Sequence, residues 1–277
     1  MIKRNYYSVR TGKISPDQQI NFEVLKKLFS VTYNKLNSDG YFQKYFGINC
    51  QDGYIPGELG EEIEAMMFVN LRKDNLYPIY TNLPNYTEDD FFDVIEFLHD
   101  HCSKGLNGHY HNWNNCGYHF KEFKDFEGQK YFRELLNPIL REYKDGFEMS
   151  ESGEILILSD NGLSNLIEAD IPTNDKDNIS NKINSAILKF RRHKSTLDDR
   201  RDAIRELADV LEFLRPAIKE HLNKKDENDL FNIANNFGIR HHNKDQQTEY
   251  DKAIWYSWIF YYYLATLHAV LRMTNKK

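Results

Sequence analysis

The stretch IWYSWIFYYYLATLHAVL, residues 254–271, is the longest apolar run in the chain. Its length is close to that of a membrane span. It carries four Tyr, Ser257, Thr266 and His268, and it lacks the Leu/Ile/Val density of a lipid-facing helix. The run therefore reads as a buried helix, extending over Tyr250–Met273. A helix with no polar face is either central to a bundle or set at an oligomer interface.

Working back from this run, the spacing predicts three further helices. Glu227–Phe237 is a short one. Before it, Thr196 with Asp199 three residues on marks a helix start. That helix carries an apolar stripe of Ile204, Leu207, Leu211, Leu214 and Ile218, and Pro216 should kink it by removing a backbone donor. Asn178–His193 is the first of the set. The polar stretch PTNDKD, residues 172–177, is the expected boundary with what precedes it. The fold class expected is mostly α, in two parts: an α-rich N-terminal domain over 1–172 and a helical module over 177–277.

In the N-terminal part, helices are expected at Asn21–Leu36, from Pro56 or Gly57 to Arg72, at Thr87–Cys102, where Thr87 with Asp90 three residues on is close to a capping box, and at Gln129–Tyr143. Phe22, Leu25, Leu28 and Phe29 would form the inner face of the first. Phe91, Val94, Ile95 and Leu98 would do so for the third. Ser103–Gly117 reads as a polar loop. Gly146–Leu158 reads as a hairpin about the Ser150–Gly153 turn.

Composition fits a folded chain of 277 residues, with 40% hydrophobic and 28% charged residues. Three cysteines at irregular spacing argue against a secreted disulfide framework. MIKRNYYSVR contains no apolar signal segment. A soluble, cytoplasmic protein is the expectation. Residues 1–175 hold 17 Lys/Arg and 28 Asp/Glu, net −11. Residues 176–277 hold 19 and 14, net +5. The basic part leaves room for an anionic partner. No Walker loop, dinucleotide fingerprint or nucleophile elbow is present, and no cofactor is expected.

Between the last two helices the chain reads Asn235-Asn236-Phe237-Gly238-Ile239-Arg240-His241-His242-Asn243. Imidazoles exchange protons near neutral pH. Arginine grips phosphate and offsets developing negative charge. A polar helix-to-helix turn would use the same residues. The last hundred residues resemble a HEPN domain: four helices with a polar motif between the last two. The family pattern is an Arg, usually followed by Asn, then a His after four to six residues. On this sequence the family His falls on His241 and the family Arg on Asn236, a departure. A literal Arg-x5-His match, Arg215 to His221, lies on the kinked helix and reads as coincidence.

The resemblance implies a metal-independent ribonuclease of bacterial defence, of the abortive-infection or toxin kind. It implies RNA as substrate, a homodimer, a neutralising or sensor protein as partner, and no membrane. His241 would be the base or acid, Arg240 the phosphate ligand and His242 a second proton-transfer group. Asn236 would orient one of them. A non-catalytic module binding RNA, a nucleotide or a protein is the alternative within the family.

A second constellation comprises His99, His101, Cys102, His109, His111, Cys116 and His119. Thiolate and imidazole are zinc ligands, and Cys116-x-x-His119 has ligand-like spacing. With no Cys-x-x-Cys knuckle it reads as an ordinary polar loop holding no metal. A zinc-stabilised structural or sensor protein is the third alternative. Glu58, Glu61, Glu62 and Glu64 read as a solvated helix face, Arg191–His193 as a helix C-terminus, and His268 as a buried core histidine.

Overall fold

The structure is a computed structural model and describes residues 5–15, 18–50, 52–159, 162–239 and 249–274. The chain divides into two units, residues 1–155 and 156–277. It is mostly α: among the described residues there are thirteen α-helices and eight strands of three residues.

The first unit opens with α1 (Tyr7–Arg10), α2 (Phe22–Ser38) and α3 (Gln43–Phe46). Asn21 caps α2 by accepting from the Val24 amide. Leu25, Phe29 and Leu36 line its buried face, whereas Leu28 is exposed, unlike the expected stripe. Lys26 takes the inner position instead, because its amine reaches the Pro84 carbonyl at 2.7 Å and sits over the Phe22 ring, 4.9 Å from its centroid.

Next come β1 (Ile48–Cys50), β2 (Gly53–Ile55) and α4 (Ile63–Leu71). The helix begins later than the sequence suggests. Residues 57–60 form a turn whose amides reach back to 44 and 45, Glu58 N to Lys44 O and Leu59 N to Tyr45 O. Gly47 makes this close approach possible. Its φ is +81°, and a β-carbon there would strike the Ile55 carbonyl. After α5 (Ile79–Asn82), α6 (Glu88–Asp100) starts at the expected Thr87/Asp90 capping box. Phe91, Val94, Ile95 and Leu98 are all fully buried.

The segment expected as a loop is instead paired. β3 (Lys104–Leu106), β4 (His109–His111), β5 (Gly117–His119) and β6 (Glu122–Lys124) form nested antiparallel pairs, β3 with β6 and β4 with β5. Next comes α7 (Asp125–Leu140). β7 (Phe147–Met149) then pairs with β8 (Ile155–Ile157), the expected hairpin and the strand at which the division falls.

The second unit continues through α8 (Ser164–Ile167), a π turn at Lys176–Ser180, α9 (Asn181–Arg191), α10 (Leu197–Phe213), α11 (Arg215–His221), α12 (Lys224–Asn236) and α13 (Lys252–Thr274). Ile167 and Ile171 already pack on its core, so the expected boundary at Pro172–Asp177 lies inside this unit. Thr196 and Asp199 form the capping box of α10. Pro216 breaks the predicted second helix rather than bending it, giving α10 and α11. α13 lies against α10 and buries Tyr256, Ile259, Phe260, Tyr263, Leu264 and Leu267 in the core of the unit, with Phe260 stacked on Phe190 of α9 and the Tyr263 hydroxyl donating to the Leu230 carbonyl of α12. Its other side shows Ile254, Trp255, Trp258 and Tyr262 to solvent. No helix among the described residues is long and apolar enough to cross a membrane.

His268 is buried on α13, and burial together with Arg272 one turn on holds its pKa below the usual value. The folded state therefore binds fewer protons there than the unfolded chain. The neutral form is favoured above the unfolded pKa of about 6.5, and stability is lost as pH falls below it. Urea midpoints measured at pH 7 and pH 5 should differ less in His268→Leu than in the wild type. Equal differences would show that His268 contributes nothing to acid sensitivity.

Candidate metal centre

The register of β4 and β5 sets up the site. His109 pairs with His119, Tyr110 with Tyr118, and His111 with Gly117. Alternation along each strand places His109, His111 and His119 on one face, and Tyr110 and Tyr118 on the other. The two tyrosine rings meet edge to face, 5.1 Å apart. The rings of His111 and His119 are 5.3 Å apart. The connection between the strands includes a 3-10 turn at Trp113–Asn115, and the Cys116 amide closes it onto the Trp113 carbonyl. That turn delivers Cys116 just ahead of β5.

Cys50 arrives from a different part of the chain, at the end of β1. Its register partner is Gly53, across the turn into β2. The Cys50 sulfur lies 3.4 Å from His111 Nδ1, and the Cys116 sulfur lies 3.0 Å from His119 Nε2. Donor atoms of Cys50, His111, Cys116 and His119 all fall within 4.8 Å of one another. In a tetrahedral zinc site with Zn–S near 2.3 Å and Zn–N near 2.0 Å, neighbouring donors stand about 3.3–3.8 Å apart. The four side chains match that donor set, and they reach that spacing with shifts of about an ångström or less.

Asp52 supports the site twice. Its amide donates to the Cys50 sulfur at 3.5 Å. Its carboxylate lies 3.5 Å from His111 Nε2. With Nδ1 facing Cys50, this arrangement assigns the proton to Nε2 and leaves Nδ1 as the donor toward a metal. A cavity of about 290 Å³ adjoins the cluster, lined by Asp52, Tyr54, His109 and His111 among others.

No protein-family model, curated protein or solved structure matches the chain. The site must therefore be read from its own chemistry.

Other members of the histidine–cysteine constellation do different work. His99 is buried on α6, where Nε2 accepts from Arg133 at 2.9 Å. His101 Nδ1 donates to the Phe97 carbonyl at 2.7 Å. Cys102 is fully buried, and burial pushes its thiol up to about 12. His109 shares the face of the cluster but lies exposed at its rim. Cys50 was absent from the sequence constellation, since it lies 61 residues from His111.

Of the four predicted ribonuclease residues, Asn236 alone lies among the described residues. Asn236 ends α12 and is exposed. Arg240, His241 and His242 lie outside the described residues. Arg215 of the literal Arg-x5-His match binds buried Glu227 at 2.7 Å and packs on the Phe231 ring. His221 is exposed. Of the acidic cluster, only Glu64 lies on α4, and all four glutamates are exposed. Arg191 is buried and donates to the Ile157 carbonyl.

Proposed function

We propose that residues 1–155 form a zinc-organised module, held by Cys50, His111, Cys116 and His119. This reverses the expectation of a metal-free polar loop. The observation that carries it is the convergence of two sulfurs and two imidazole nitrogens, drawn from β1, β4, the 3-10 turn and β5. Two thiolates with two imidazoles select zinc over the hard cations. Four protein donors fill a tetrahedral shell, so the role is structural. Such a role meets a physical need, because β1, β2, β4 and β5 are only three residues long. Two-stranded hairpins of that size are marginal in water. A metal tying them together would replace the apolar core they lack.

Cobalt substitution tests the reading. Cobalt-loaded protein should show the intense visible absorption of tetrahedral thiolate coordination, and zinc should displace it. A weak, octahedral-type spectrum would contradict the donor set. In Asp52→Asn the loss of the carboxylate acceptor on His111 should weaken zinc binding by about tenfold. A competition titration with a chromophoric chelator measures this, and unchanged affinity would remove Asp52 from the site.

A second reading concerns the helical unit. It is the metal-independent, HEPN-type ribonuclease that the resemblance implies, with Arg240, His241, His242 and Asn236 as its residues. The geometry on either side of the undescribed residues 240–248 supports it. Gly238 is left-handed after α12, with φ +65°. Ile239 is fully buried, and Arg205 donates to its carbonyl through Nε and Nη2, each at 3.3 Å. Beyond the segment, the Tyr250 hydroxyl donates to the Phe237 carbonyl at 2.7 Å. Both flanks of the motif are thus anchored side by side between the last two helices. RNA as substrate, a homodimer and a protein regulator belong to this reading. If cleavage fails, the non-catalytic binding module is what remains of it.

A further inference from the structure

A second cavity, of about 430 Å³, lies in the first unit between α2, β1, α5 and β5. That volume is in the range of small-molecule sites, about 300–1,000 Å³. Its lining is unusual for this chain. Charged residues make up 28% of the sequence, yet among the described residues no Lys, Arg, His, Asp or Glu lines the cleft. An ionic ligand would find no counter-charge there, so the cleft suits a neutral one.

What lines it instead are aromatic rings and amides. Tyr33 is held rigidly, stacked on Phe29 and on Phe42 at 6.1 and 5.5 Å. Tyr77 stacks on Phe46 at 6.3 Å. Tyr80 stands at the rim, 71% exposed. Burial pushes the Tyr33 phenol up to about 12 and raises Tyr77 as well, so both stay neutral donors at physiological pH. Asn34 and Asn37 are exposed one turn apart on α2, and Asn49 is exposed on β1. Each amide offers two donors and an acceptor on a plane.

We propose that this cleft binds a neutral nucleobase. A base is planar, uncharged and edged with donors and acceptors. Tyrosine rings provide faces for it to stack on, and the asparagine amides can pair with its edge. The cleft also adjoins the metal centre, since β1 and β5 supply both walls and ligands and Cys116 itself reaches the lining. The proposal stands on the cleft and not on the metal.

The test is calorimetric titration of the full chain with adenosine, guanosine, cytidine and uridine, each beside its 5′-monophosphate and with glucose as control. At least one nucleoside should bind saturably at a single site. Its monophosphate should bind no more tightly, because no cation lines the cleft to receive the phosphate. Tyr80→Ala and Asn37→Ala change exposed side chains and should keep the melting temperature. Each should weaken nucleoside binding by roughly five- to a hundredfold, the range of a lost stacking or edge contact. Absence of saturable binding by all four nucleosides would overturn the proposal. So would binding of glucose alone, tighter binding of the monophosphate, or affinities unchanged in both variants. Zinc content is read separately in the same samples, so failure of the cleft and failure of the metal centre are distinguishable.

Discussion

Cys116→Ser should leave the first unit without its metal and strip hydrogen-exchange protection from residues 48–55 and 104–124. Four donors from three strands and a turn are brought together by the metal as much as by the fold, so binding energy is folding energy. A ligand at a thousandfold excess over its dissociation constant stabilises the folded state by about 4 kcal/mol. In a unit of this size that corresponds to a fall of roughly 10 °C in melting temperature. His111→Ala should act likewise, since it also removes a donor. Cys102→Ala is the control: that thiol is buried away from the cluster, so zinc should remain bound. Protection in α10 and α13 serves as an internal reference within the same experiment. Unaltered protection at 104–124 in Cys116→Ser would mean that nested strand pairing alone holds the segment.

The second large effect belongs to the ribonuclease reading of the helical unit. If that reading holds, the purified chain should cleave RNA without added divalent metal. The product should carry a cyclic phosphate, because the 2′-oxygen attacks the neighbouring phosphorus when no metal activates water. His241→Ala should reduce the rate by about a hundredfold or more through loss of a proton-transfer group. Arg240→Ala should have a comparable effect through loss of charge stabilisation. His221→Ala should change little, since that side chain is exposed on α11. Wild-type rates in His241→Ala would contradict the assignment, and the binding-module alternative would then stand. The assay uses magnesium-free buffer rather than a chelator, which would strip the zinc centre at the same time.

Helical elements were legible in the sequence wherever a cap and an apolar stripe coincided. Thr87 with Asp90 and Thr196 with Asp199 marked helix starts that the structure repeats as reciprocal side-chain and backbone bonds. Phe91, Val94, Ile95 and Leu98 formed the inner face as their spacing required. The start of α4 was misjudged because periodicity does not report the turn at 57–60, whose amides pair with residues 44 and 45. Leu28 and Lys26 exchanged their expected places because a carbonyl, that of Pro84, lies within reach of the amine.

The metal centre was half visible. Cys116-x-x-His119 drew notice, but His99, His101 and Cys102 were grouped with it by sequence proximity alone. Cys50 was missed because no local pattern links it to β4. The usable signal was the alternation His109-Tyr110-His111 set against Gly117-Tyr118-His119. Read as strands, it places three imidazoles on one face. Strands of three residues, set between turns that hold Asn107, Asn112, Asn114 and Asn115, fall below what period-2 reasoning recognises, so the segment read as a loop.

On the proposed reading, one zinc ion belongs to each chain. The direct measurement is elemental analysis by plasma mass spectrometry of full-length protein purified without added metal, normalised to protein by amino-acid analysis. We predict about one zinc per chain in the wild type and in Cys102→Ala, and a small fraction of that in Cys116→Ser. Wild-type protein that folds with no more than trace zinc, and takes up none when zinc is supplied, would contradict it.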